Sequence, residues 1–234
     1  MNNHLASMKT PERNIVLLLA LLGSLLAGGH RNGFAAEAAL PKWEKEIRAF
    51  EAADRTNPPP QNAILFVGSS SIVRWKTLAR DFPEFQVVNR GFGGSQMADS
   101  LAFVERIVLP YRPRQVVVYA GDNDLAAGKS PEQVFLDFQA FVKKIHTALP
   151  KTRIAYLAIK PSASRWRLVE EMKRANRLVA EFARQDERLA FIDTFTPILG
   201  DDGKPREDLF EADKLHLNAK GYAVWVPIVR PFLK

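Results

Sequence analysis

The chain has no cysteine among its 234 residues. This absence excludes disulfide bonds, thiolate-bound metals and cysteine nucleophiles together. Histidine is also scarce, with four residues. His4 and His30 fall in the amino-terminal leader described below, and His146 lies in a predicted helix, on a face expected to be solvated. His216 is therefore the histidine best placed for acid–base chemistry.

Long basic runs are absent, although the formal net charge is +7. Positive charge of this size can attract nucleic acid or anionic surfaces. Lysine and arginine are scattered, however, and often stand beside acids, as in residues 170–174. This pattern favours a solvated basic surface, so no nucleic-acid partner is expected.

No apolar run is long enough to span a membrane. The longest, residues 15–28, has about fourteen residues, whereas a spanning helix needs ~20. Lys9 and Arg13 precede it, and residues 36–38 (Ala-Glu-Ala) follow as an A-x-A-like cleavage pattern. This order of features is typical of a secretory signal peptide.

Residues 1–38 are therefore predicted to be a signal peptide and leader, and the protein to be periplasmic or secreted. The signal itself would span about residues 8–38, with Met8 as a candidate natural start, and the alternative is an uncleaved anchor. Residues 39–234 fit a single domain because no linker composition interrupts them. With 47% hydrophobic and 25% charged residues, the chain can bury a sizeable core.

Through this domain, short apolar runs alternate with longer segments whose apolar residues recur every three or four positions, as in helices. The runs predict strands buried on both faces at residues 63–67, 86–88, 115–120, 154–159 and 189–192. Helical patterns occupy residues 41–53, 98–109, 130–149, 165–184 and 218–232, the last interrupted late by Pro227. The alternation predicts an α/β fold with three layers, in which helices cover both faces of a five-stranded parallel sheet. Ligands of such sheets bind at the carboxyl ends of the strands.

Four polar blocks lie at or near those strand ends. They are residues 68–72 (Gly-Ser-Ser-Ser-Ile), 89–95 (Asn-Arg-Gly-Phe-Gly-Gly-Ser), 121–124 (Gly-Asp-Asn-Asp) and 213–216 (Asp-Lys-Leu-His). Together they contain a hydroxyl, an imidazole, a carboxylate and donors for an oxyanion, which are the parts that acyl transfer requires.

In content and order these blocks resemble those of the SGNH, or GDSL-type, serine hydrolases, which carry a Ser, a Gly, an Asn and a His in separate blocks. The resemblance implies a flavodoxin-like three-layer fold and an esterase or lipase activity. It assigns the nucleophile to Ser70, the general base to His216 and the carboxylate that orients the base to Asp213. The α/β-hydrolases share this order of the three residues, but their Gly-x-Ser-x-Gly pattern is missing because Ile72 follows the serines.

The first block departs from the family's usual Gly-Asp-Ser because Ser69 stands in place of the aspartate. Trp75, five residues after Ser70, supports the register, since related sequences often carry a tryptophan there. Ser71 remains the rival nucleophile. The competing interpretation of all three serines is that they cap the following helix.

The same resemblance places the oxyanion donors at the amides of Ser70 and Gly94 and the side chain of Asn123. Glycine suits the second position because a β-carbon would obstruct close approach of the backbone to the substrate. Dinucleotide binding is the alternative for this glycine-rich block, but a G-x-G-x-x-G pattern would need glycine at Gln96.

The third block has its own alternatives, a simple turn or a cation site. Gly, Asp and Asn all favour turns. Asp122 and Asp124 supply two carboxylates, too few for a full ligand set, so no metal is expected. The serine-hydrolase mechanism that the resemblance implies needs no cofactor, so none is expected.

Substrate-binding side chains are predicted around these blocks. Arg90, Phe92 and Gln96 surround the glycine block, and Arg165 and Trp166 follow the fourth strand, so all are expected to reach the same edge of the sheet. Core packing is the alternative for the two aromatic residues.

The resemblance implies a serine esterase acting on a small-molecule ester, with a short acyl or acetyl group on a saccharide or lipid. A thioesterase, a lysophospholipase or an acyltransferase would use the same triad. A non-catalytic binding module of the cell envelope is the alternative outside enzymes, because a fold does not fix a function. No membrane span is expected after removal of the leader.

Overall fold

A computed structural model describes residues 42–234 of the chain. The predicted signal peptide and leader, residues 1–38, lie outside the described residues, so the structure does not bear on that prediction. Among the helices of residues 42–234, none combines the length and the apolar character needed to cross a membrane.

A single five-stranded parallel sheet forms the centre of the domain, in the order β2-β1-β3-β4-β5. The strands are β1 Ile64–Gly68, β2 Val87–Gly91, β3 Gln115–Tyr119, β4 Arg153–Leu157 and β5 Leu189–Ile192. The predicted three-layer α/β fold is confirmed.

Helices fill the connections between the strands. The α-helices are α1 Glu44–Thr56, α2 Ser70–Val73, α3 Leu78–Asp81, α4 Met97–Ala102, α5 Val104–Ile107, α6 Asp122–Ala126, α7 Pro131–Ala148, α8 Val169–Ala183 and α9 Ala219–Val229. Short 3-10 turns occur at Leu109–Tyr111, Ala163–Leu168, Thr196–Ile198, Glu207–Leu209 and Arg230–Phe232.

Three predicted helices differ in detail from those observed. The helix expected at residues 98–109 is split into α4 and α5 because Phe103, at φ −94° and ψ 6°, leaves the helical path between them. The helix expected from residue 165 begins instead as a 3-10 turn, with Arg165 at φ −119°. The last helix runs through Pro227 to Val229, because proline removes one amide donor but keeps a φ compatible with the helix.

Both faces of the sheet are covered, as the alternation along β1 illustrates. Leu65 and Val67 belong to a buried cluster with residues of α1, α4, α5, α7 and α8. Ile64 and Phe66 belong to a second cluster on the other face, with residues of α2, α3 and α9. These four side chains are fully buried, which explains why the strand is apolar at every position.

The order of the strands determines where a ligand can bind. β2 lies on one side of β1 and β3 on the other, so the direction of sheet growth reverses at β1, and the loops after β1 and β3 border a crevice. Gly68 closes β1 there at φ +133°, and a β-carbon on it would lie 2.0 Å from the carbonyl oxygen of Tyr119. Only glycine fits this crossing of the two strand ends.

Candidate active site

Ser70 opens the short helix α2 directly after β1. Its neighbours Ser69 and Ser71 are buried, at 2% and 3% exposure, whereas Ser70 is half-buried. The carbonyl of Ser69 accepts the first hydrogen bonds of the turn, from the amides of Ile72 and Val73. Ser71 is tied to α9 because its carbonyl accepts a hydrogen bond from the Tyr222 hydroxyl at 2.9 Å. The local backbone thus presents one serine of the three at the edge of the sheet.

His216 and Asp213 lie together on the loop before α9. The distance from His216 Nε2 to Ser70 Oγ is 3.0 Å, and that from His216 Nδ1 to Asp213 Oδ2 is 2.6 Å. The other carboxylate oxygen of Asp213 accepts from the amides of Leu215 and His216 at 3.0 and 2.9 Å. The hydrogen bonds from the His216 ring and then from the His216 amide hold the pKa of Asp213 well below its usual range.

The loop that carries this pair is closed by its own backbone. The Glu211 amide donates to the His216 carbonyl at 2.8 Å, and the Lys214 amide donates to the Glu211 carbonyl at 2.9 Å. Lys214 takes a left-handed conformation at φ 53° to complete the turn. Asn218 then fixes the end of the loop, since its side chain caps α9 and also donates to the Phe210 carbonyl.

Asn123 lies on the short helix α6 after β3, and its side-chain amide is bonded at both ends. Its Nδ2 donates to the Ser95 carbonyl at 2.9 Å, and its Oδ1 accepts from Arg165 Nη2 at 3.1 Å. Ser95 follows Gly94, so Asn123 joins the second polar block to the third. Gly94 is exposed at φ +75°, a conformation that favours glycine.

The two aspartates beside Asn123 are both buried and both engaged by the protein. Asp122 pairs with Arg165 at 2.5 Å and lies 3.6 Å from Lys160 Nζ. Asp124 accepts from the Met97 amide at 3.1 Å and lies 3.3 Å from Lys129 Nζ. Burial raises the pKa of Asp124 and lowers the pKa of the Lys160 amine, which is 1% exposed. Within residues 42–234 there is no group of three or more His, Asp or Glu side chains arranged to hold a metal.

Two of the predicted substrate-binding residues have packing roles instead. Arg90 pairs with Asp54, donates to the Tyr111 hydroxyl at 2.9 Å and stacks on the Phe50 ring. The predicted strand ended at residue 88, whereas β2 continues to Gly91, so Arg90 is a strand residue that faces α1 rather than a loop residue at the edge.

Phe92, at 1% exposure, packs edge-on against Trp43 and Phe103 and is a core residue. Gln96 and Trp166 are half-buried, and their predicted contact with substrate stays a prediction. His146, expected on a solvated face, is half-buried, and its Nε2 lies 2.9 Å from the Thr152 carbonyl oxygen.

A sequence model of the GDSL-like lipase/acylhydrolase family matches residues 60–224. The chain belongs to this family. The match begins just before β1 and ends within α9, so it includes Ser70, Asn123 and His216. Membership makes the protein an ester-hydrolysing enzyme whose substrate is a small-molecule ester, and the resemblance seen in the four polar blocks is confirmed.

Solved structures share the fold of this GDSL-like hydrolase at low sequence identity. A candidate platelet activating factor from Streptococcus pneumonia aligns with a TM-score of 0.72 and 20% identity over 82% of this chain and 94% of that one. A GDSL-like lipase from Bacteroides thetaiotaomicron aligns with a TM-score of 0.67 and 16% identity over 80% of this chain and 96% of that one. A mutant of Axe2, an acetylxylan esterase from Geobacillus stearothermophilus, aligns with a TM-score of 0.59 and 16% identity over 73% of this chain and 94% of that one. No curated protein matches the chain significantly.

Proposed function

We propose that this GDSL-like hydrolase is a serine esterase in which Ser70 is the nucleophile, His216 the general base and Asp213 the carboxylate that orients the base. The observation that carries the proposal is the continuous chain of contacts from carboxylate to imidazole to hydroxyl, at 2.6 and 3.0 Å. Both are hydrogen-bond distances, and the contact with Ser70 is short enough for His216 to take the proton of the hydroxyl.

The reaction follows from that geometry. Ser70 Oγ attacks the ester carbonyl while His216 Nε2 takes its proton. Asp213 holds the proton on Nδ1, so Nε2 is free to act as the base, and then stabilises the imidazolium. The imidazolium returns the proton to the departing alcohol, which leaves an acyl group on Ser70. A water molecule, deprotonated by His216, attacks the acyl group. The imidazolium then returns this proton to Ser70 Oγ as the acid leaves, which regenerates the serine.

The negative charge that develops on the carbonyl oxygen requires donors. We assign this role to the backbone amides of Ser70 and Gly94 and to Nδ2 of Asn123. Ser95, whose carbonyl binds Asn123, is the next residue after Gly94, so two of the three donors belong to segments tied by one hydrogen bond. Loss of one such donor lowers turnover by about 10²- to 10³-fold in other hydrolases.

The substrate we propose is a short acyl or acetyl ester of a saccharide or lipid. The fold is shared with an acetylxylan esterase, and export, which we propose from residues 1–38, would bring the enzyme to such esters outside the cytoplasm. N-terminal sequencing of the protein from a periplasmic or culture fraction tests export: a mature chain that starts near residue 39 supports it, and an intact leader in the cytosol contradicts it.

Hydrolysis of p-nitrophenyl esters from acetate to palmitate tests the proposed function. The wild type is expected to prefer the short chains, and Ser70→Ala and His216→Ala to lose nearly all turnover. Ser71→Ala is the matched control and is expected to keep much of it. If Ser71→Ala loses nearly all turnover and Ser70→Ala keeps it, the nucleophile is Ser71 and not Ser70. A preference for the palmitate ester would contradict the proposed short acyl group.

A further inference from the structure

Arg165, in the segment after β4, contacts the side chain of Asn123, in the segment after β3, and sets its orientation. A carboxamide can be turned end over end, which exchanges its acceptor oxygen and its two N–H donors. Here the oxygen faces Arg165 Nη2 at 3.1 Å. Turning the amide over would place its N–H groups against a guanidinium group, which has donors and no acceptor. Arg165 therefore keeps the donor end of Asn123 on the side of Ser95 and the glycine block.

The amide group has a second N–H beyond the one that binds Ser95. Nδ2 of asparagine carries two hydrogens, and one is used on the Ser95 carbonyl at 2.9 Å. The second is the one that an oxyanion would accept from. A rotated or mobile amide would lose this donor, because oxyanion stabilisation depends on donors held in place before the reaction.

Arg165 is itself held by a buried carboxylate. Its Nη1 bonds to Asp122, whose side chain is 7% exposed. Asp122 and Asn123 are adjacent in sequence, so the two terminal nitrogens of one guanidinium group bind two successive side chains. Lysine offers a single point of attachment and cannot reproduce this fork. Lys160, 1% exposed, lies 3.6 Å from the same carboxylate, so two basic side chains share Asp122.

The segment that carries Arg165 also contacts the loop of the acid–base pair. Arg165 lies in the 3-10 turn Ala163–Leu168 after β4. The amide of Ser164 donates to the carbonyl of Lys214 at 3.2 Å, and Lys214 lies between Asp213 and His216. One short turn thus joins the side of the site that holds the oxyanion donor to the side that holds the base.

We propose that Arg165 is a positioning residue of this esterase, which fixes the donor orientation of Asn123. The inference rests on the proposed function, because it requires Asn123 to stabilise the transition state. Since Arg165 acts through Asn123, its effect belongs to turnover and not to binding of the ground-state ester.

The test compares Arg165→Ala, Asn123→Ala and the double variant in hydrolysis of p-nitrophenyl acetate. Arg165→Ala is expected to lower kcat by about 10- to 100-fold, and Asn123→Ala by about 10²- to 10³-fold, each with KM changed less than about threefold. The double variant is expected to be no slower than Asn123→Ala, because residues that act as a unit are not additive. Arg167→Ala, which removes an exposed arginine of the same turn, is the matched control and should match the wild type.

Chemical rescue distinguishes positioning from a general structural role. Millimolar guanidinium chloride is expected to restore part of the kcat of Arg165→Ala and none in the double variant. Arg165→Lys, which keeps a charge beside Asp122, covers the case in which the alanine variant does not fold, and its kcat should fall between those of wild type and Asn123→Ala. Thermal unfolding of every variant establishes that the measured protein is folded.

The possible failures can be separated. Four results would overturn the positioning role. They are additive losses in the double variant, a loss confined to KM, full activity of a folded Arg165→Ala enzyme, and, if only Arg165→Lys folds, full activity of that variant. Each leaves the triad intact as long as Ser70→Ala is inactive. Full activity of Ser70→Ala would instead overturn the proposed function.

Discussion

His216 Nε2 lies 3.0 Å from Ser70 Oγ, although 146 positions separate the two residues in sequence. Each is fixed by a different part of the fold. Ser70 is placed by the end of the interior strand β1, and His216 by a loop that Asn218 ties to the start of α9. The contact therefore exists only in the folded sheet, at the crevice where the direction of strand addition reverses.

The low pKa of Asp213 predicts a simple acid limb in the pH–rate profile. Its folded pKa lies well below its unfolded value, mainly because of the hydrogen bond from the His216 ring. Such a carboxylate stabilises the fold above the unfolded pKa, and this contribution is lost only as the pH falls through the lower, folded pKa. Between about pH 4 and 8 it stays ionised, so Asp213 should add no second protonation to the acid limb, and log kcat/KM should fall with decreasing pH at a slope no steeper than one. A slope of two would contradict this assignment.

Glu44 predicts a pH-dependent contribution to stability from α1. Hydrogen bonds from Arg106 and then Arg48 lower its pKa from 4.5 to about 2. The folded pKa is thus below the unfolded value, so the carboxylate stabilises the fold above about pH 4.5 and loses this effect as the pH falls toward 2. Glu44→Gln should lower the thermal midpoint at neutral pH, and the difference from wild type should shrink through this window.

The exposed Glu46 lies on the same helix, so Glu46→Gln is the control for the Glu44 measurement. It is expected to leave the midpoint unchanged across the whole pH range. If the difference in thermal midpoint between Glu44→Gln and the wild type stays constant from pH 7 to pH 2, protonation of Glu44 does not cause the pH dependence of stability.

Gly94 and Gly93 give a matched pair for the glycine block. Gly94 has φ +75°, and a β-carbon on it would lie 3.3 Å from the Trp43 ring, whereas a β-carbon on Gly93 would meet nothing within 4 Å. Gly94→Ala is expected to lose about 1–2 kcal/mol of unfolding free energy, because the left-handed conformation opposes a β-carbon, together with much of its kcat. Gly93→Ala should be close to wild type in urea unfolding and in turnover. Equal effects of both substitutions would remove the special role of position 94.

The strands could be predicted because a parallel sheet covered on both faces needs runs such as Ile64–Val67, in which every residue is apolar. The ends of elements are less visible. β2 continues through Asn89, Arg90 and Gly91, which look like loop residues in the sequence. For this reason the sequence predicts Arg90 in the substrate pocket, whereas in the structure it pairs with Asp54. A polar side chain on an edge strand can be satisfied by a neighbouring helix that the sequence does not reveal.

The candidate site shows the same limit. The blocks containing Ser70, Asn123 and His216 are recognisable from their order along the chain. The contact between Arg165 and Asn123 leaves no trace in sequence, because it joins the segments after β3 and β4 and depends on a buried Asp122 for its geometry. Pairings of this kind arise from tertiary packing and not from local pattern.

The most direct measurement of the central claim is covalent labelling by a fluorophosphonate, followed by peptide mass spectrometry. One label per chain is expected, on Ser70, with strong suppression of labelling in His216→Ala, because the proposed role of the imidazole is to activate the hydroxyl. Ser71→Ala should label as the wild type does. A label on Ser71 or elsewhere, or a folded wild-type protein that takes up no label, would exclude Ser70 as the nucleophile.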